Sequence, residues 1–201
     1  MPTSSSHPHR RFASFAAYAG AGLFVILLAA LHVVQPHMIN DATISKYALG
    51  TAGWMLQCAF VAAGVAYAGV GRLLSGRPAL LSWLAAAAFV VMGAFRIDAV
   101  GPNRIVSFHG AMHTGAFFVV VVLAHALMFA RRSQTKASAL RVLPYIGPVL
   151  VVMGFVWPGI VGALIFRAWT LTLVAWIVLL TRETEASRDL RSSRPAAPVI
   201  V

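Results

Sequence analysis

Arg96-Ile97-Asp98-Ala99-Val100-Gly101-Pro102-Asn103-Arg104-Ile105-Val106-Ser107-Phe108-His109-Gly110-Ala111-Met112-His113 forms a short polar hinge between two long apolar runs. It gathers Arg96, Asp98, Arg104, His109 and His113 in a chain where few other ionisable groups lie between apolar segments. The flanking runs, about Ala79 to Phe95 and Ser107 to Ala130, approach or exceed the ~20 residues a helix needs to cross the hydrocarbon. Neither run alternates as a barrel strand does. The hinge therefore reads as the connection between two transmembrane helices.

Outward from the hinge the same pattern repeats. Of 201 residues, 60% are hydrophobic and only 10% charged, and mean hydropathy is +0.82, whereas a soluble domain carries about a quarter charged residues. The expected fold is all-α, a polytopic bundle of six transmembrane helices over residues 14–182. The remaining spans are about Ser14 to Gln35, Leu49 to Val70, Val142 to Trp157 and Gly162 to Thr181. Pro144 and Pro148 are expected to interrupt the fifth, which ends at the turn Trp157-Pro158-Gly159. Residues 1–13 and 183–201 are polar and expected to be disordered tails. Gly50, Gly53, Gly64 and Gly69, the run Ala85 to Ala88, and Gly110 with Gly115 suggest close helix packing.

A net charge of +11 would suggest nucleic acid in a soluble protein, but here it reads as topology. Arg10, Arg11, Arg72, Arg77, Arg131, Arg132, Lys136, Arg141, Arg182, Arg188, Arg191 and Arg194 fall on one side of the six spans, and only Lys46, Arg96, Arg104 and Arg167 on the other. The excess of basic residues places both termini in the cytoplasm of a multi-pass cell-membrane protein. Arg10 and Arg11 flank an uncleaved first helix, because the apolar run after them is too long for an export signal. The single cysteine, Cys58, excludes an intrachain disulfide and is expected to be a small buried packing residue.

With that topology the unusual polar residues collect at the outer end. Ionisable groups at membrane depth cost roughly 2.5–3.5 kcal/mol each, which makes them functional candidates. Asp98 is expected to pair with Arg96 or Arg167. Arg167 lies about five residues, or roughly 8 Å, inside its helix. Arg96, Arg104, Arg167 and His109 could cradle an anionic small molecule or lipid headgroup, with Asp98 organising the arginines. A second reading uses zinc: His109 and His113 share a helix face four residues apart, and Asp98 with His37 or Asp41 would complete a tetrahedral site for hydrolysis or transfer on a lipid. Asp98, His109 and Ser45 are the catalytic candidates, although no Gly-x-Ser-x-Gly elbow surrounds Ser45 and Ser107 reads as a helix cap. Haem is disfavoured because His125 has no partner histidine at its level; it is expected to pack or hydrogen-bond within the bundle.

Several of these residues carry a family resemblance. The run Ile44-Ser45-Lys46-Tyr47-Ala48-Leu49-Gly50-Thr51-Ala52-Gly53-Trp54, then Asp98, then His109-Gly110, then Arg167 with Trp176, resembles in order and spacing the bacterial membrane family known as domain of unknown function 998. The resemblance covers about residues 14–182. It implies a six-helix integral membrane protein, highlights Ser45, Asp98 and His109, and brings no assigned reaction. More distantly the chain is similar to intramembrane zinc hydrolases of the alkaline ceramidase and adiponectin-receptor type. It departs from them in having six helices, no Ser-x-x-x-His on the second, and its His-x-x-x-His on the fourth instead of the last.

Overall fold

The computed structural model describes residues 7–40, 43–99, 106–157 and 159–192. Six helices follow one another: α1 (His7–Val34), α2 (Gly53–Leu73), α3 (Gly76–Ala94), α4 (Phe108–Arg132), α5 (Ser138–Val156) and α6 (Gly159–Ser192). Two 3-10 segments, Pro36–Asn40 and Ile44–Leu49, fill the connection between α1 and α2. All six helices are long and apolar enough to cross a membrane. The chain is a multi-pass membrane protein, because only structures that satisfy their own backbone hydrogen bonds span lipid.

The helices differ from the apolar runs at their ends. α1 begins at His7 instead of Ser14, and α6 continues to Ser192 instead of stopping at Thr181. Apolar runs report only the lipid-facing length, whereas tertiary contacts hold the polar extensions in helical form. Buried Ala13 lies at the end of the first. In the second, Glu185 accepts a hydrogen bond from the Tyr18 hydroxyl and Glu183 one from the Lys136 backbone amide. α2 starts at Gly53, after the expected Leu49, because Gly50-Thr51-Ala52-Gly53 puts two poor helix formers in four residues. The tail residues 1–6 and 193–201, together with Asp41, Arg104 and Pro158, lie outside the described residues.

α5 runs through Pro144 and Pro148 without a break, contrary to the interruption expected. The two prolines are four apart, so the amide missing at Pro148 is the one that would have met the Pro144 carbonyl. Membrane helices tolerate such gaps when neighbouring groups cover them, and Pro144 is buried.

Close approach organises the first half of the bundle. A Cβ on Gly69 of α2 would lie 2.6 Å from the Ala17 amide nitrogen and 2.7 Å from the Ala13 carbonyl oxygen of α1. Lipid tails are as apolar as the helices, so association depends on backbones meeting in this way. Gly115 does not take part, since nothing lies within 4 Å of where its Cβ would be. Cys58 is exposed, not buried as expected, on the lipid side of α2 that also carries Trp54, Val61 and Val65.

α1 and α6 are antiparallel neighbours. Tyr18 meets Glu185 near one end of the bundle, and His32 meets Arg167 near the other. Both described chain ends therefore share one end, and the 3-10 segments lie at the opposite, loop-rich end.

Candidate functional site

The polar residues of the loop-rich end resolve into three small groups. The first fixes the start of α4. Ser107 is its cap, as the sequence suggests: the hydroxyl oxygen accepts from the Gly110 amide at 3.1 Å and donates to Asp98 Oδ1 at 2.6 Å. The Ser107 amide donates to Asp98 Oδ2 at 2.7 Å. Asp98 thus anchors the α3–α4 hinge onto the first turn of α4, and its carboxylate adds negative charge where the helix dipole favours it.

The second group is buried. His113, 2% exposed, sits one turn further along α4 than His109. Its Nδ1 lies 3.1 Å from the Met92 carbonyl oxygen and 2.8 Å from that of Phe95. Carbonyls only accept, so Nδ1 carries the proton; Met92 belongs to the last turn of α3, where helix carbonyls lack an amide further along the chain. In the neutral ring Nε2 is then the acceptor, and it receives the Ser45 hydroxyl at 2.9 Å. Phe60 packs edge-on against the imidazole, 5.7 Å between centroids.

The third group joins α1, the second 3-10 segment and α6. Arg167 donates through Nε to His32 Nε2 at 2.7 Å, through one terminal nitrogen to the Ala163 carbonyl at 2.8 Å, and through the other to the Tyr47 hydroxyl at 3.4 Å. His32 Nδ1 donates to the Leu28 carbonyl at 2.6 Å, which leaves Nε2 as an acceptor. The guanidinium also lies 5.9 Å from the Tyr47 ring centroid, within cation–π range. Among the described residues, the groups that accept hydrogen bonds from this half-buried arginine carry no acid: a histidine, a backbone carbonyl and a tyrosine hydroxyl.

Next to the Ser45–His113 pair lies a partly open cavity of about 170 Å³. Phe24, Phe60, Phe89, Phe117, Phe166 and Trp169 line it, and Ser45, His113 and three threonines supply its polar atoms. Thr170 has already spent its hydroxyl on the Phe166 carbonyl. Phe118 of α4 and Phe155 of α5 also line the cavity, yet are 52% and 55% exposed, so they form its boundary with the surrounding lipid. Their rings are stacked at 6.3 Å with planes 15° apart.

Among the described residues, the expected convergence into one outer recess gives way to separate contacts. Arg167 reaches His32, Tyr47 and Ala163 and not Asp98, because Asp98 is turned toward the α4 terminus. Arg96 is exposed, as are His37 and His109. His109 packs against Phe95 at 5.4 Å and Phe108 at 6.2 Å. The zinc arrangement of His109, His113, Asp98 and His37 is not assembled: both His113 nitrogens face other groups, and among the described residues no three of His, Cys, Asp and Glu converge. His125 packs as expected, with Nδ1 on the Val121 carbonyl and its ring stacked on Trp169 at 6.4 Å. Sequence reasoning singled out Ser45 and His113 separately but not their contact across 68 positions, and it gave His32 and Tyr47 no part in holding Arg167. The signal for the latter was the depth of Arg167, which demanded acceptors on neighbouring helices.

The architecture defines a class: helical multi-pass membrane proteins of six long apolar helices. Within it the chain belongs to the family described as protein of unknown function (DUF998), whose model matches residues 18–183. No curated protein and no solved structure matches it.

Proposed function

We propose that the protein binds a membrane lipid, with an acyl or other apolar chain in the bundle cavity and an anionic headgroup at the loop-rich end. The observation that carries this reading is the aromatic cavity whose lipid-side boundary is two half-exposed phenylalanines, Phe118 and Phe155. A cavity bounded by the hydrocarbon is filled from the hydrocarbon, and apolar lining with a few placed polar groups is the usual composition of a ligand site. Arg96 supports the headgroup half of the proposal, since it is exposed and precedes Ile97, which lines the cavity. His109 is exposed near the start of the next helix. Arg104, the remaining basic residue of the hinge, lies outside the described residues. The distribution of basic residues supports a cytoplasmic position for both termini, which puts the headgroup in the opposite leaflet.

The test is lipid retention. Wild type and Val120→Phe, which adds a ring to a fully buried cavity wall, are purified in mild detergent and their lipids quantified by mass spectrometry. About one defined lipid per chain in wild type, lost in the variant, is the expected outcome. Equal and nonspecific lipid in both contradicts the proposal. Arg96→Gln should shift the retained population away from anionic lipids.

A further inference from the structure

We infer that Ser45 is a nucleophile, activated by His113, for acyl transfer from an ester-linked lipid. The inference rests on the lipid-binding reading for its substrate and on independent geometry for its chemistry. A serine hydroxyl is a weak nucleophile until an adjacent base receives its proton, and the mark of such a pair is a hydrogen bond between them with the base oriented by a third group. Ser45 Oγ and His113 Nε2 are 2.9 Å apart, within the reach required of a general base. The orienting role is filled by the Met92 and Phe95 carbonyls, which hold the proton on Nδ1 and face the positive charge the ring acquires. Both side chains line the apolar cavity, and both are buried.

Acylation needs no reagent beyond the ester, and deacylation needs only water or a second alcohol. Ser45 Oγ bonds to the ester carbonyl carbon as its proton passes to His113 Nε2. The tetrahedral intermediate collapses with cleavage of the bond to the alkoxy oxygen, which leaves as an alcohol carrying that proton. The acyl group then rests on Ser45 until water or a second alcohol gives its proton to His113 and attacks the same carbon; the acyl bond to Oγ breaks, and His113 returns the proton to Ser45. A merely structural Ser45–His113 bond would tie the 3-10 segment to α4 but would confer no reactivity toward electrophiles.

The probe is a long-chain alkyl fluorophosphonate, which a nucleophilic serine attacks at phosphorus with loss of fluoride. Purified full-length protein is treated, digested and mapped by mass, while lipid retention is measured on the same preparation. Covalent label on Ser45 of the wild type, absent in Ser45→Ala, supports the inference. His113→Gln should react at least ~100-fold more slowly, the lower range for a general base, while keeping its thermal unfolding profile. Retained lipid with no label on Ser45 overturns the nucleophile and leaves lipid binding standing. Label on Ser45 with no lipid retained does the reverse. The wild-type arm needs no variant to fold, and equal rates in a folded His113→Gln overturn the role of His113.

Discussion

The Asp98 carboxylate occupies the space that a side chain on Gly110 would need: a Cβ there would meet Oδ2 closer than any real contact allows. The dipeptide His109-Gly110 at the start of α4 thus has a physical reason, since only glycine lets the acid close over the first turn and reach both the hydroxyl and the amide of Ser107.

Gly110→Ala should therefore displace the Asp98 carboxylate and break its two hydrogen bonds to Ser107. Overpacking of this kind costs about 1–3 kcal/mol. In a double-mutant cycle with Asp98→Ala, the two effects should couple by about 0.5–3 kcal/mol, because once the carboxylate is gone the methyl group has room. Thermal unfolding in detergent measures each corner, and strict additivity would contradict the contact.

His32→Ala should loosen the contact of α1 with α6. It removes the neutral acceptor of a half-buried guanidinium, and leaving a buried donor unsatisfied costs about 1–3 kcal/mol. His32→Gln, whose carbonyl oxygen can still accept, should recover part of that loss. Unfolding midpoints that fall equally for the two variants would count against the Arg167 bond.

Cys58 gives a probe of the membrane boundary. It is exposed on α2 between residues that face lipid, five positions beyond the start of the helix or roughly 8 Å along it. In intact vesicles neither an apolar nor a charged maleimide should modify it until the membrane is dissolved and the chain unfolded, because the attacking thiolate does not form in hydrocarbon. Ready modification by both reagents in intact vesicles would place this face of α2 in water.

Much of the architecture is legible in sequence because lipid demands long apolar helices, and the runs on either side of Arg96–His113 could hardly serve otherwise. The Ser107 cap is legible for the same local reason. What local pattern cannot supply is partner choice. Asp98 and Arg167 are opposite charges assigned to the same end, yet the acid bonds within its own hinge and the arginine to a histidine 135 positions away. Ser45 and His113 carry the strongest chemistry only as a pair, and their meeting depends on how the 3-10 segment packs against α4. The cavity is equally nonlocal, since its aromatic residues come from all six helices and each looks like ordinary membrane packing. Pro144 and Pro148 mislead because their effect on a helix is set by the neighbours that cover them.

Photocrosslinking with a lipid carrying a diazirine midway along its acyl chain tests lipid binding in the cavity most directly. The account predicts adducts concentrated on cavity residues such as Phe117, Val120 and Trp169, and their loss in Val120→Phe. Adducts spread evenly over lipid-facing positions such as Val65, Leu84 and Leu171, unchanged by that substitution, would contradict it.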